Sequence, residues 1–208
     1  MGLYRKFVLP RLIDLAMKDP ALTKCRSEIV PKATGRVLEV GIGSGLNFPF
    51  YGAGVRYVCG VDPSPELLAI ARSKVAALPY PVELVCGSAE DLPLADASAD
   101  SVVLMWTLCS IPNPSRALHE LRRLLKPGGS VLFAEHGLAP DPTVRTWQGR
   151  LNPLWKRIAG GCNMNRKIDE LIARAGFSIQ ELHTSYFPGP RVLTYTYQGT
   201  AVSQRAAA

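Results

Sequence analysis

Three glycines stand at alternate positions, Gly41, Gly43 and Gly45, directly after the apolar run Val37-Leu38-Glu39-Val40. Glycines so spaced let a strand turn sharply and let a ligand approach main-chain atoms. The dinucleotide fingerprint places its third glycine one residue later. That position is Leu46, so the turn is of another kind. Asp62 closes the next apolar run, where an acid in a doubly wound fold accepts hydrogen bonds from ribose hydroxyls. Gly87-Ser88-Ala89-Glu90-Asp91-Leu92-Pro93 follows the third run. A turn for main-chain contact, an acid for hydroxyls and an acidic loop together describe a site for a ribose-bearing ligand.

Other residues could move a proton or line a reacting pocket. His136, after the fifth apolar run, is the titratable candidate for deprotonating or orienting an acceptor. Its bland alternative is a bond to a loop carbonyl. Cys109, after the fourth run, is either a pocket group or a packed thiol. His119 and His183 fall in a helix and at a strand end, and read as structural or exposed. No HExxH occurs and no Cys/His cluster has zinc spacing, so no metal is expected.

These residues need elements to hold them. Strands are expected at 36–40, 57–61, 82–86, 101–106 and 131–135. Helices are expected at 65–78, with Ser64 as N-cap, and at 114–125, ended by Lys126-Pro127-Gly128-Gly129. Strands alternating with helices mean a parallel sheet with right-handed crossovers. Residues 3–17 carry Leu3, Phe7, Val8, Leu12, Ile13, Ala16 and Met17 in an amphipathic pattern, with Arg5, Lys6, Arg11 and Lys18 between them. That segment is either a lid packed on the domain or a helix lying on an anionic membrane. Residues 144–158 are aromatic-rich, 166–175 form a helix stopped by Gly176, and 177–182 and 192–199 are strands joined through Phe187-Pro188-Gly189-Pro190. A closing hairpin puts one strand antiparallel to the sheet.

The chain has 208 residues and a net charge of +7. One domain is ordinary at this length. The charge first suggests a polyanion partner. Its distribution argues otherwise, since residues 37–140 hold 7 Lys/Arg against 10 Asp/Glu, and the excess lies at the two ends. The longest apolar stretch, from Val102 to Ile111, is far short of the ~20 residues of a membrane span. Five cysteines, an odd number with no CxxC, read as buried reduced thiols of a cytoplasmic protein. Arg5-Lys6, Arg11 and Lys18 break any signal-peptide core.

Residues 36–137 resemble the class I S-adenosylmethionine-dependent methyltransferases. Glu39-Val40-Gly41-Ile42-Gly43-Ser44-Gly45 is similar to their first motif, Asp62 to the ribose-binding acid, Ser88–Pro93 to the loop beside the adenine, and Leu124–Gly129 to the element before strand five. The resemblance implies a Rossmann-like α/β fold: a seven-stranded, mostly parallel sheet with strand seven antiparallel and helices on both faces. It implies S-adenosylmethionine as cofactor and S-adenosylhomocysteine as product. Cofactor contacts are expected from Glu39, Gly41, Gly43, Ser44, Gly45, Asn47, Asp62, Pro63, Ser88, Ala89, Glu90 and Trp106. The division expected of a single domain is capping helices at 1–35, a cofactor core at 36–137, and an acceptor-side segment with the closing hairpin at 138–208.

A narrower resemblance rests on Gly45–Tyr51, Asp62–Pro65, Leu108-Cys109-Ser110, Glu135-His136 and Trp155–Asn163, the last lying outside the generic core. Together these are similar to the methyltransferase-like 7 family of thiol S-methyltransferases. Two departures stand out. The family commonly has Cys-Gly-Thr where this chain has Ile42-Gly43-Ser44, and residues 1–30 replace its membrane-anchoring segment. The resemblance implies methyl transfer to a small-molecule thiol, with His136 and Cys109 as catalytic candidates. Thr107, Leu108, Trp147, Trp155, Cys162 and Asn163 are expected to surround the acceptor, the two tryptophans serving either as core anchors or as pocket walls. A quinone C-methyltransferase or a phospholipid or amine N-methyltransferase of the same fold is the alternative, and a non-enzymatic binding protein a further one. A nucleic-acid methyltransferase is remote. Thr107-Leu108-Cys109-Ser110 stands where an Asn-Pro-Pro-aromatic signature belongs, so no nucleic-acid partner is expected. Loose contact with an anionic membrane fits the basic ends, and no oligomeric state is set.

Overall fold

Alternation along each strand decides which layer a side chain joins. In β1 (Gly35–Val40), β4 (Ala99–Met105) and β5 (Leu125–His136) both faces are buried. Leu38, Val40, Val102, Leu104, Val131 and Phe133 form one core with α4 (Pro114–Leu124) and α6 (Ile168–Arg174). Val37, Val103, Met105, Leu132 and Ala134 form the other with α2 (Pro20–Ile29) and α3 (Pro65–Val75). Apolar runs buried on both faces are the mark of a central parallel sheet.

The computed structural model describes Tyr4 and residues 8–203. Its remaining elements are α1 (Leu9–Ala16), β2 (Val55–Asp62), β3 (Val82–Cys86), α5 (Pro142–Ile158), β6 (Phe177–Tyr186), α7 (Arg191–Thr194) and β7 (Tyr195–Ser203). The sheet has seven strands in the order β3-β2-β1-β4-β5-β7-β6. β7 runs antiparallel between β5 and β6, and β1 to β5 are parallel. The chain winds outward from β1 to β3, then returns to place β4 beside β1. Strand order reverses there, and a cleft opens above the carboxyl ends of β1 and β4.

Local chemistry sets the helix starts. Ser64 accepts from the amide of Leu67 at 3.2 Å and Asn113 from that of Arg116 at 3.1 Å, each followed by proline at the first helical position. The stripe Ala117, Leu118, Leu121 and Leu124 is fully buried, so α4 is held by one apolar face.

Several expectations shift. β5 starts at Leu125, because residues 125–130 extend along β4 instead of only ending the helix. Residues 191–194 form a helical turn, so the last strand begins at Tyr195. Cys86 is exposed rather than buried, because β3 is an edge strand with β2 as its one neighbour. Leu3, Arg5, Lys6 and Phe7 lie outside the described residues. Among the described residues no helix is long and apolar enough to cross a membrane.

Candidate active site

The turn after β1 delivers main-chain atoms to the cleft. Gly41, Gly43 and Gly45 all have positive φ, at 72°, 55° and 74°. A Cβ on Gly41 would lie 2.0 Å from Thr107 Oγ1, so this glycine lets β1 and the segment after β4 approach each other. A Cβ on Gly43 would meet nothing nearer than a carbonyl oxygen at 3.9 Å, so that face of the turn opens on space. Asp62, at the end of β2, is buried; its carboxylate accepts from the amides of Gly43 at 2.9 Å and Ser64 at 2.8 Å. Burial raises its pKa above the ordinary carboxylate value while the two amides pull it down. One carboxylate thus ties the turns after β1 and β2 together.

Glu39 lies beneath the turn. It accepts from Asn47 Nδ2 at 2.8 Å and Tyr51 Oη at 2.6 Å, and Arg26 Nε donates to Asn47 Oδ1 at 3.0 Å. The same guanidinium lies 5.0 Å from the centre of the Trp106 ring. Trp106 has φ of +56°, a strained conformation for a bulky residue and one that tends to occur at functional sites. α1 covers the turn, with Asp14 accepting from Ser44 Oγ and Lys74 donating to the Ser44 carbonyl at 2.7 Å.

The acceptor side is organised by Glu135, fully buried at the end of β5. It accepts from the backbone amides of Thr107 (2.8 Å), Leu108 (2.9 Å) and Cys109 (3.1 Å). Burial pushes its carboxyl up to about 7 against the pull of these amides. Asn163 then joins the segment after α5 to this loop, with its N and Nδ2 both donating to the Cys109 carbonyl, at 2.9 and 3.0 Å. Cys162 Sγ falls 3.6 Å from Cys109 Sγ and 3.4 Å from His136 Nδ1. His136 Nε2 is buried and finds no partner among the described residues.

A cavity of about 890 Å³ connects both halves. It is lined by Glu39, Gly41, Gly43, Ser44, Asn47, Asp62, Pro63, Ser88, Ala89, Trp106, Thr107, Cys109, His136, Trp155 and Cys162, all expected from the sequence. Five expected residues fall elsewhere. Gly45 packs under the Phe48 ring. Glu90 turns outward, bonding the Asn113 amide at 2.9 Å. Leu108 is drawn wholly into the core, and Asn163 spends its amide on loop carbonyls. Trp147 is neither core anchor nor pocket wall; it is exposed on α5 beneath Arg150, 5.5 Å from its ring centre. Glu39 lines the cavity, but both oxygens already hold protein donors, so it braces the wall. Arg26, Asp14 and Gln148 were not anticipated. Gln148 sits buried on α5, donating to the Gly137 and Val192 carbonyls and accepting from the Ala139 amide. No local motif marks these three, because the partners described for them lie 9 to 80 residues away in sequence.

The topology and cradle have known counterparts. Residues 38–133 match the family model described as a methyltransferase domain. Over that stretch, a little under half of its length, the chain is similar to a class I methyltransferase domain. It is 37% identical over 158 residues to the thiol S-methyltransferase TMT1B of Rattus norvegicus, covering 74% of this chain and 64% of that protein. It is 37% identical over 152 residues to the thiol S-methyltransferase TMT1A of Homo sapiens, covering 71% and 62%. The chain thus spans somewhat less than two thirds of these relatives. In fold it matches the crystal structure of YcgJ from Bacillus subtilis, with TM-score 0.70 and 16% identity over 89% of this chain and 99% of that one.

The cofactor of this class is S-adenosylmethionine, and this chain has the parts to hold it. The open face of Gly43 admits a ligand to the main chain, Asp62 presents a buried carboxylate at the cavity wall, and Ser88 and Ala89 border the same space. Gly43→Val is therefore expected to lose cofactor binding, since its side chain would enter the cavity, and to lose some stability, since valine at a φ of 55° is strained. Gly41→Ala is expected chiefly to lose stability, through collision with Thr107. Calorimetric titration with S-adenosylhomocysteine and urea unfolding separate the two, and normal binding by Gly43→Val would overturn the assignment of the turn.

Glu39 and Glu135 both stand at about 7, raised from 4.5 chiefly by burial. A raised folded-state value means the fold prefers the protonated carboxyl. The stability these groups contribute is full below about 4.5 and is lost as pH rises through about 7. Urea midpoints are expected to fall across that window. Glu135→Gln should lower stability by about 1–3 kcal/mol, because an amide cannot accept three amide protons, and should flatten the pH slope. An unchanged slope would refute the role given to Glu135.

Proposed function

We propose that this chain transfers the methyl group of S-adenosylmethionine to the sulfur of a small thiol. Bound S-adenosylmethionine supplies an electrophilic methyl on a sulfonium. The chain's task is then to align the acceptor and exclude water. Asp62 and the 41–44 turn anchor the ribose and main-chain contacts. Trp106, Thr107 and Trp155 wall the acceptor end. The observation that carries the reading is His136. His136 borders the cavity with Nδ1 against Cys162 and Nε2 without a protein partner among the described residues, which makes it the group placed to take the proton of an incoming thiol. A thiol needs little more, since a few per cent is already ionised near pH 7. The thiol S-methyltransferases among the relatives support sulfur as acceptor.

A panel of alkyl thiols, amines, phenols and quinones with labelled cofactor tests this. Label is expected in thioethers. Transfer to amines or quinones with none to thiols would overturn the proposal. His136→Ala should lose about tenfold at pH 7 and recover as pH approaches 9, where the acceptor ionises unaided.

We also propose peripheral contact with an anionic lipid surface, where sparingly soluble thiols collect. Trp147, Leu151, Leu154 and Ile158 are exposed on α5 at i, i+4, i+7 and i+11, which is one helix face. Leu12 and Leu15 are exposed on α1, and Arg11, Arg150, Lys156 and Arg157 stand on the same two helices. Both helices contribute to the cavity wall. Cosedimentation with phosphatidylglycerol vesicles is expected, and Leu154→Asp should weaken it. No binding by the parent chain would refute this contact.

A further inference from the structure

Methyl transfer leaves two groups at the acceptor end without a reaction of their own, the thiols of Cys109 and Cys162. They come from separate segments, the loop after β4 and the loop after α5. The backbones are stapled by the paired donation of Asn163 to the Cys109 carbonyl. The sulfurs are held 3.6 Å apart, both at the cavity wall. A disulfide needs about 2.05 Å, so the two sulfurs must approach each other by about 1.5 Å to close the bond.

The two thiols are not equivalent. Cys162 is partly exposed to the cavity and Cys109 is buried. Cys162 is held well below the ordinary thiol value by its contact with Cys109 and by His136 at 3.4 Å, whereas Cys109 is pushed up. Arg166, donating to the Leu108 carbonyl at 2.5 Å, adds positive charge beside the pair. A low-lying thiolate with an adjacent neutral thiol is the arrangement of an attacking and a resolving cysteine.

We infer that Cys162 and Cys109 form a thiol–disulfide exchange pair for small disulfides that enter the cavity. The Cys162 thiolate attacks one sulfur of R–S–S–R, forming a Cys162–S–S–R bond and releasing R–S⁻, which takes up a proton. The Cys109 thiol then gives up its proton and attacks Cys162 Sγ. The Cys109–Cys162 disulfide forms and the second R–S⁻ leaves. The small disulfide is reduced to two thiols and the cysteine pair is oxidised. Two equivalents of a monothiol such as glutathione reverse the change. The inference rests on the cavity and the cysteine geometry, and does not depend on sulfur being the methyl acceptor.

The test uses the full chain with Cys86→Ser, which removes the exposed thiol. Bis(2-hydroxyethyl) disulfide is the probe, followed by intact mass and peptide mapping. The expected product has lost two hydrogens, carries no adduct, shows a 109–162 cross-link, and is restored by glutathione. Cys109→Ser should instead accumulate a stable adduct on Cys162, and Cys162→Ser should form neither product. Cys162 in the Cys109→Ser chain should react about tenfold faster than Cys86 measured in the unsubstituted chain. S-adenosylhomocysteine titration checks that each variant is folded. No 109–162 cross-link in the Cys86→Ser chain, or a folded Cys162→Ser variant oxidised like that chain, would overturn the inference. Thiol methylation by the reduced chain is measured separately, so either result can fail alone.

Discussion

A carboxylate buried at the end of β5 holds the acceptor side of this molecule together. Glu135 collects the amides of three successive residues after β4, and no water is needed to satisfy them. The cost of burying it is offset by these donors, which would otherwise be unpaired in the core. Much of the acceptor side follows from that gathering. It draws Leu108 into the core, presents Thr107 and Cys109 to the cavity, and leaves the Cys109 carbonyl free to receive Asn163. Through Asn163 the loop after α5 is fixed, and with it Cys162 beside His136.

Glu39 plays a matching part under the cofactor cradle. It too is buried at the carboxyl end of a central strand, and it too gathers donors from a loop, here Asn47 and Tyr51. Behind it Arg26 carries positive charge inward from α2, bonding Asn47 and lying against Trp106. The two glutamates flank the point where strand order reverses. Each converts the end of a rigid strand into a rigid loop, so the cavity wall is positioned by the sheet and not by loop contacts alone.

Much of this was legible in the chain. Apolar runs and proline-capped helix starts mark the alternation of strands and helices, because burial on both sheet faces demands those compositions. The cradle was legible because Gly41, Gly43 and Asp62 act through their own backbone or at a strand end, positions that a local pattern reveals. Glu90 and Trp147 were misplaced for the converse reason. Nothing local says that Glu90 bonds the amide of Asn113, or that Trp147 lies on the outer face of α5 while Gln148 takes the inner one.

The sequence by itself determined the alternation of strands and helices and the short turns that border the cavity, since these depend on periodicity and on local turn chemistry. Tertiary structure alone decided which groups share the acceptor end. Cys109, His136 and Cys162 are separated by 26 to 53 residues and meet only because two buried hydrogen-bonding groups, Glu135 and Asn163, close the loops onto one another. Polar contacts of that kind have no period along the chain. They exist only once the core has excluded water from around them.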